Sequence, residues 1–241
     1  GRADRVVFSG VGKTRDEMAL ALEADVRCFN VESRSELRRL SDVARAHGST
    51  ARVSLRVNPD VDAGTHPYIS TGLKGNKFGV AHEEAVDVYL LAAGLPGLAV
   101  TGIDCHIGSQ ITQTAPYLDA ADRVLDLVEA VEARGVALHH VDFGGGLGIQ
   151  YTDESPPAAD ALVTALLQRV LVHGRAVGDQ VHPWRASPRS QPAVHGLHVL
   201  GRARGGEFKQ LGQPRLEQRL AAGERQVGHS HVRQPPHHAL P

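Results

Sequence analysis

Two stretches hold the residue types that could do chemistry. In Val141-Asp142-Phe143-Gly144-Gly145-Gly146-Leu147-Gly148 an apolar run ends in three consecutive glycines. Such a triplet costs backbone entropy and contributes no packing, so it makes sense where backbone N–H groups must come close to something. Phosphate is the usual guest; a tight strand-to-loop turn would use the same glycines. The second stretch is Asp104-Cys105-His106-Ile107-Gly108-Ser109. Strand alternation puts Gly102, Asp104 and His106 on one face and Ile103 and Cys105 on the other. His106 then points into a possible site from a strand end, with Ser109 on the following turn. Cys105 reads as a small core residue rather than a nucleophile. The candidate site residues are thus His106, Ser109, Gly144, Gly145 and Gly146.

The elements that would position them alternate strictly. Strands are expected at Arg5–Phe8, Val26–Val31, Ala51–Val57, Ala99–Ile107 and Val136–Phe143. Helices are expected at Glu17–Glu23, after Ser33 up to Gly48, at His82–Ala93, Thr114–Arg134 and Pro156–Val170. Thr14-Arg15-Asp16-Glu17 and Ser33-Arg34-Ser35-Glu36 both have the spacing of a capping box. Short apolar strands alternating with helices predict a parallel sheet covered on both faces, as a (β/α) barrel or an open doubly wound sheet. The polar and glycine residues gather at the C-terminal strand ends, where a barrel builds its ligand site.

Composition bounds the rest. The 241 residues are 41% hydrophobic but only 4% aromatic, so Ala, Val and Leu must fill the core. A net charge of −1 gives no general argument for nucleic acid or an acidic membrane as partner. Cys28 and Cys105 lie far apart, which suggests a reducing compartment and no disulfide framework. No apolar run reaches transmembrane length and no signal peptide is visible, so the expected location is cytoplasmic. The start, Gly-Arg-Ala-Asp without a methionine, reads as a cut. After residue 170 apolar periodicity fades and Arg, His and Pro accumulate, apart from a weak helical pattern at Leu211–Ala222. Residues 171–241 therefore read as an irregular tail, either disordered or translated out of frame. Its histidines, His237 and His238 included, lack a ligand framework, so no metal site is expected. Its arginines come with no nucleic-acid motif and no stacking platform.

His106-Ile107-Gly108-Ser109-Gln110 together with Val141 to Gly148 resembles the paired motifs of the pyridoxal-phosphate decarboxylases with an alanine-racemase-type barrel. Within that family, the loop from Asn58 through Thr65-His66-Pro67-Tyr68-Ile69-Ser70-Thr71-Gly72 to Gly79 is similar to the diaminopimelate branch, as are Phe8 to Lys13 and Phe29 to Ser33. The resemblance runs from Gly1 to Val170. It implies a partial (β/α)8 TIM-type barrel, with about five of eight units, strands three to seven, in residues 1–170. It implies pyridoxal 5'-phosphate as cofactor, with His106 stacked on its ring and Ser109 and the N–H groups of Gly144, Gly145 and Gly146 on its phosphate. The implied reaction is decarboxylation of meso-2,6-diaminopimelate, a small amino-acid substrate, to L-lysine.

The departures from the family carry their own expectations. Its Schiff-base lysine lies on the first barrel strand, and none of Lys13, Lys74, Lys77 and Lys209 matches it, so no catalytic residue is assigned. The Glu-Pro-Gly-Arg segment and the C-terminal β domain are not found. The expectation is an inactive fragment that does not form the family's homodimer properly. Two other readings stand beside it: a non-catalytic remnant binding pyridoxal phosphate or phosphate, and a sister decarboxylase acting on ornithine, arginine or carboxynorspermidine.

Overall fold

The computed structural model describes residues 2–62, 78–151 and 153–175, and the backbone of two further strands at 181–185 and 194–199. These all fall in the first of two units, 1–204; the second, 205–241, lies outside them, and with it the Leu211–Ala222 pattern. The expected polar loop at Asp60–Gly79 is also mostly outside, at 63–77.

Five strands run parallel in the order β1 (Val7–Phe8), β2 (Cys28–Val31), β3 (Ala51–Asn58), β5 (Leu98–Asp104) and β6 (His140–Asp142). A two-residue strand, β4 (Val80–Ala81), pairs with the end of β3 off this path. The helices are α1 (Arg15–Glu23), α2 (Arg34–Ala46), α3 (Ala85–Gly94), α4 (Ala115–Ala133) and α5 (Ala159–Val172). Each follows a strand, as alternation requires of a parallel sheet. The result is a curled parallel half-barrel, a partial TIM-type barrel. The curl shows in one contact. Cys28 Sγ lies 3.9 Å from His140 Nε2, although β2 and β6 are three strand spacings apart, about 14 Å on a flat sheet.

Register divides the sheet into rows. Val31, Leu55, Ile103 and Val141 align across β2, β3, β5 and β6, all buried. They share one core with Leu37 and Leu40 of α2, Val88 of α3, Val124 and Val128 of α4, and Leu166 of α5. The rows on the other parity are polar: Asn30, Ser54, Gly102 and His140, then Arg56, Asp104 and Asp142, with Glu32 just past the end of β2. A bulge sets this parity. Val53 pairs with Val100 but Ser54 with Gly102, so Thr101 is the extra residue, and its Oγ1 donates to the Val53 carbonyl at 3.1 Å. Without the bulge Arg56 would face Ile103 instead of Asp104.

Several boundaries differ from expectation for physical reasons. The Thr14 box is complete: Thr14 Oγ1 accepts the Glu17 N–H at 3.3 Å and Glu17 accepts the Thr14 N–H at 2.8 Å. The Ser33 box is half made. Ser33 Oγ accepts the Glu36 N–H, but the Glu36 carboxylate turns to Lys13 and to the Glu32 N–H. The fifth expected strand begins at His140, not Val136, because Val136 still bonds back to Val131 after Gly135, and His139 is the first to bond the sheet, at Thr101. The last helix starts at Ala159 because its N-cap, Ala158, is extended (φ −63, ψ 143), and before it Pro157 keeps Pro156 out of the helical region. Beyond it, where irregular chain was expected, β7 (Val181–Arg185) and β8 (Val194–Val199) run antiparallel, with β8 on the edge of β6. An unpaired strand edge is a template for any extended segment that reaches it. No helix among the described residues is long and apolar enough to cross a membrane.

Candidate functional site

The two loops that leave β5 and β6 are zipped together, which brings all five candidate residues to one place. The Cys105 N–H donates to the Asp142 carbonyl, Ile111 N–H to the Gly146 carbonyl, and Gly148 N–H to the Ile111 carbonyl, each at 2.9 Å. Gln110 closes the far end from both sides, its Nε2 donating to the Ile149 carbonyl at 2.5 Å and its Oε1 accepting the Ile149 N–H at 3.1 Å. His106 is half-buried between these loops, and Ser109 is exposed on the turn beside it. The Gly145 N–H reaches His106 Nδ1 at 3.5 Å, a long contact that needs this nitrogen as acceptor.

The glycines have separate explanations. Gly144 has φ +72 and Gly146 φ +96, the left-handed side that L side chains rarely adopt. A Cβ on Gly144 would collide with the Cys105 carbonyl oxygen, and one on Gly146 with the Gly108 carbonyl oxygen. Both glycines are thus demanded by the approach of one loop to the other. The turn reading and the guest reading of the triplet meet here, since the loops must touch for His106 and Ser109 to stand beside Gly145 and Gly146.

Three further residues hold the loop, and sequence reasoning gave none of them a role. Asp142 Oδ1 accepts the Gly144 N–H at 2.8 Å. The Tyr117 hydroxyl, from the first turn of α4, donates to the Gly145 carbonyl at 3.3 Å. Asp104 hydrogen-bonds Asp142 from the neighbouring strand. The Asp142 contact is the two-residue return that an aspartate before a turn commonly makes, so the sequence held a signal for it. Tyr117 needed the packing of α4 to be known.

Beneath the loops the polar face is almost fully enclosed. Asn30, Glu32, Ser54, Asp104, His140 and Asp142 are all buried. Arg56 Nη1 sits 3.3 Å from Glu32 Oε1. Glu32 Oε2 and Ser54 Oγ have no hydrogen-bond partner among the described residues. Gly102 lets the His140 ring lie over the strand, since a Cβ there would collide with the imidazole. Burial, then the nearby Asp142 charge, pushes the Asp104 carboxyl well above the ordinary carboxylate range. The sign follows: the unfolded chain ionises this group above about pH 4, the folded chain keeps it protonated, so stability falls as pH rises from there. Asp104→Asn is expected to be more stable than the parent at neutral pH in urea denaturation. The advantage should vanish as pH falls through the ordinary carboxylate range, and equal curves at all pH values would contradict the assignment.

Burial pushes the Cys105 thiol well up, and the residue is fully enclosed, as a core residue should be. Lys13 is buried too. Its ammonium meets Glu36 Oε1 at 2.6 Å, the Gly10 carbonyl at 2.6 Å and the Asn30 carbonyl at 2.7 Å. An ammonium has three hydrogens, and all three are used. Lys74, Lys77 and Lys209 lie outside the described residues. No group of three His, Cys, Asp or Glu side chains placed to hold a metal occurs among the described residues.

Comparison with known proteins places this arrangement. The family profile described as pyridoxal-dependent decarboxylase, pyridoxal binding domain, matches residues 1–182. A diaminopimelate decarboxylase of Pseudomonas aeruginosa is 56% identical over 186 residues, 77% of this chain and 44% of the relative. One of Haemophilus influenzae is 56% identical over 170 residues, 70% of this chain and 41% of the relative. The crystal structure of diaminopimelate decarboxylase from Helicobacter pylori complexed with L-lysine superposes with a TM-score of 0.68 at 39% identity, covering 70% of this chain and 43% of that one. The chain spans less than half the length of the curated relatives it matches. By chemistry the residue types gathered here, the Ser109 hydroxyl and the Gly146 backbone near the His106 imidazole, suit the phosphate end of pyridoxal phosphate. The aldehyde end needs an amine, and Lys13 does not offer one. On sequence and fold alike, the chain belongs to the pyridoxal-dependent decarboxylases, with their pyridoxal-binding domain across residues 1–182.

Proposed function

We propose that this chain provides the phosphate-holding sector of a site that converts meso-2,6-diaminopimelate to L-lysine and carbon dioxide. The observation that supports it is the 56% identity to diaminopimelate decarboxylases across a segment that contains both loops. When bound, pyridoxal phosphate supplies the electron sink that accepts the pair left on carbon as carbon dioxide departs. The chain's own part is binding and orientation. Ser109 Oγ and the Gly146 N–H hold the phosphate, while the Gly144 N–H is engaged by Asp142 and the Gly145 N–H by His106 Nδ1, and both shape the loop. A near-dianion calls for several converging donors of this kind. The flat face of His106 restrains the ring. The test is a chimera in which residues 1–182 replace the matching segment of the Pseudomonas aeruginosa relative. It is expected to form lysine from meso-diaminopimelate and to release no carbon dioxide from ornithine, arginine or carboxynorspermidine. A folded chimera with the opposite preference would overturn the substrate assignment.

A second reading applies to the 241 residues by themselves: reversible binding of pyridoxal phosphate without catalysis. Lys13 favours it, because all three of its hydrogens are taken by buried acceptors. The isolated chain is expected to take up pyridoxal phosphate and to release it on dialysis even after borohydride treatment. A stoichiometric pyridoxyl mark on one lysine would refute this reading.

A further inference from the structure

We propose that Asp142 is the positioning residue of the glycine loop, its carboxylate holding the Gly144 N–H so that the loop presents the Gly146 N–H to the phosphate. The inference rests on the cofactor-site reading above. Beside the Gly145 N–H contact to His106 Nδ1, the loop has three anchors on three successive residues, each from a different part of the fold. Asp142, the last residue of β6, takes the Gly144 N–H at 2.8 Å. Tyr117 of α4 takes the Gly145 carbonyl at 3.3 Å, and Ile111, beyond β5, takes the Gly146 carbonyl at 2.9 Å. The second anchor holds the Gly145 carbonyl, which turns the N–H of the same peptide, that of Gly146, away from the anchor; the third fixes the next peptide. The first is the only one of the three made by a carboxylate, and such charge-assisted bonds are roughly twice as strong as neutral ones. It also sets the direction of the loop at its first residue, where φ is +72.

Asp142 is itself restrained. It is buried, it aligns with Asp104 across the strand pair, and Asp104 hydrogen-bonds its side chain. Arg56 aligns with Asp104 on the other side and sits 3.3 Å from Glu32. The carboxylate that aims the loop thus stands at the end of a polar row spanning β2 to β6.

The experiment uses the full chain with Asp142→Asn and Asp142→Ala. Inorganic phosphate is titrated by phosphorus NMR, pyridoxal phosphate by absorbance, and the Gly144 amide is followed by NMR. Asparagine keeps an acceptor without the charge; alanine removes it. Both ligands are expected to bind about threefold more weakly to Asp142→Asn and about tenfold more weakly to Asp142→Ala. The Gly144 amide proton should move upfield in the same order. If the alanine variant does not fold, the asparagine variant decides alone. A merely structural Asp142 would lower the unfolding midpoint and leave phosphate affinity of the folded variants unchanged, and that result overturns the inference while the cofactor-site reading stands. A parent chain that binds neither phosphate nor pyridoxal phosphate overturns both.

Discussion

Replacing Gly146 with alanine is expected to abolish binding of pyridoxal phosphate and to destabilise the fold by about 3 kcal/mol. The backbone there has φ +96, and the added Cβ would meet the carbonyl oxygen of Gly108. That oxygen belongs to the backbone of the paired loop, so no flexible side chain can yield. Relief requires the two loops to part, which breaks the Ile111–Gly146 and Gly148–Ile111 hydrogen bonds and carries Ser109 away from the glycine N–H groups. Gly135→Ala is the matched control. Gly135, at the end of α4, also has positive φ, +86, but nothing lies within 4 Å of the place a Cβ would take there. It should lose about 1 kcal/mol in urea denaturation and keep its ligand affinity. If Gly146→Ala titrates with pyridoxal phosphate as tightly as the parent, the loop contact described above is not the one that shapes the site.

Lys13→Met is expected to cost about 3–5 kcal/mol in urea denaturation, without any change at the glycine loop. The Lys13 and Glu36 side chains are 2% and 8% exposed, so solvent cannot replace the lost ammonium. Its removal strands the Glu36 carboxylate and two carbonyls, those of Gly10 and Asn30. Adding Glu36→Leu should recover part of the loss, because a buried ion pair replaced on both sides is far less harmful than one broken on one side. Recovery stays partial because Glu36 also accepts the Glu32 N–H. A loss below about 1 kcal/mol for the single variant would show that the pair is not enclosed.

Much of this was legible in the sequence. The parity of β5 was readable, with Gly102 and Asp104 inward and Ile103 and Cys105 in the core, because a strand's period of two depends on nothing outside it. The neighbourhood of His106, Ser109 and the glycines was readable from motifs on successive strands. What stayed hidden depends on register between strands. That Arg56 faces Asp104 rather than Ile103 is settled by the bulge at Thr101, a residue with no sequence mark of its own. The Ser33 box is only half made for a related reason: Lys13, distant in sequence, competes for the Glu36 carboxylate and wins by burial. His140 was passed over because its significance lies in Gly102, on another strand.

The alternation of rows has a consequence for how the chain tolerates change. Val31, Leu55, Ile103 and Val141 answer to packing against helices, while Asn30, Ser54, Arg56, Asp104, His140 and Asp142 answer to one another. Adjacent positions along one strand therefore experience unlike pressures. A substitution that trims the apolar row draws on stability without touching the polar face. One in the polar row can change the charge and hydrogen bonding of that face while the helical shell stays as it was. Mutational drift in such a sheet proceeds along two separate tracks, and a laboratory search can vary one of them while holding the other still.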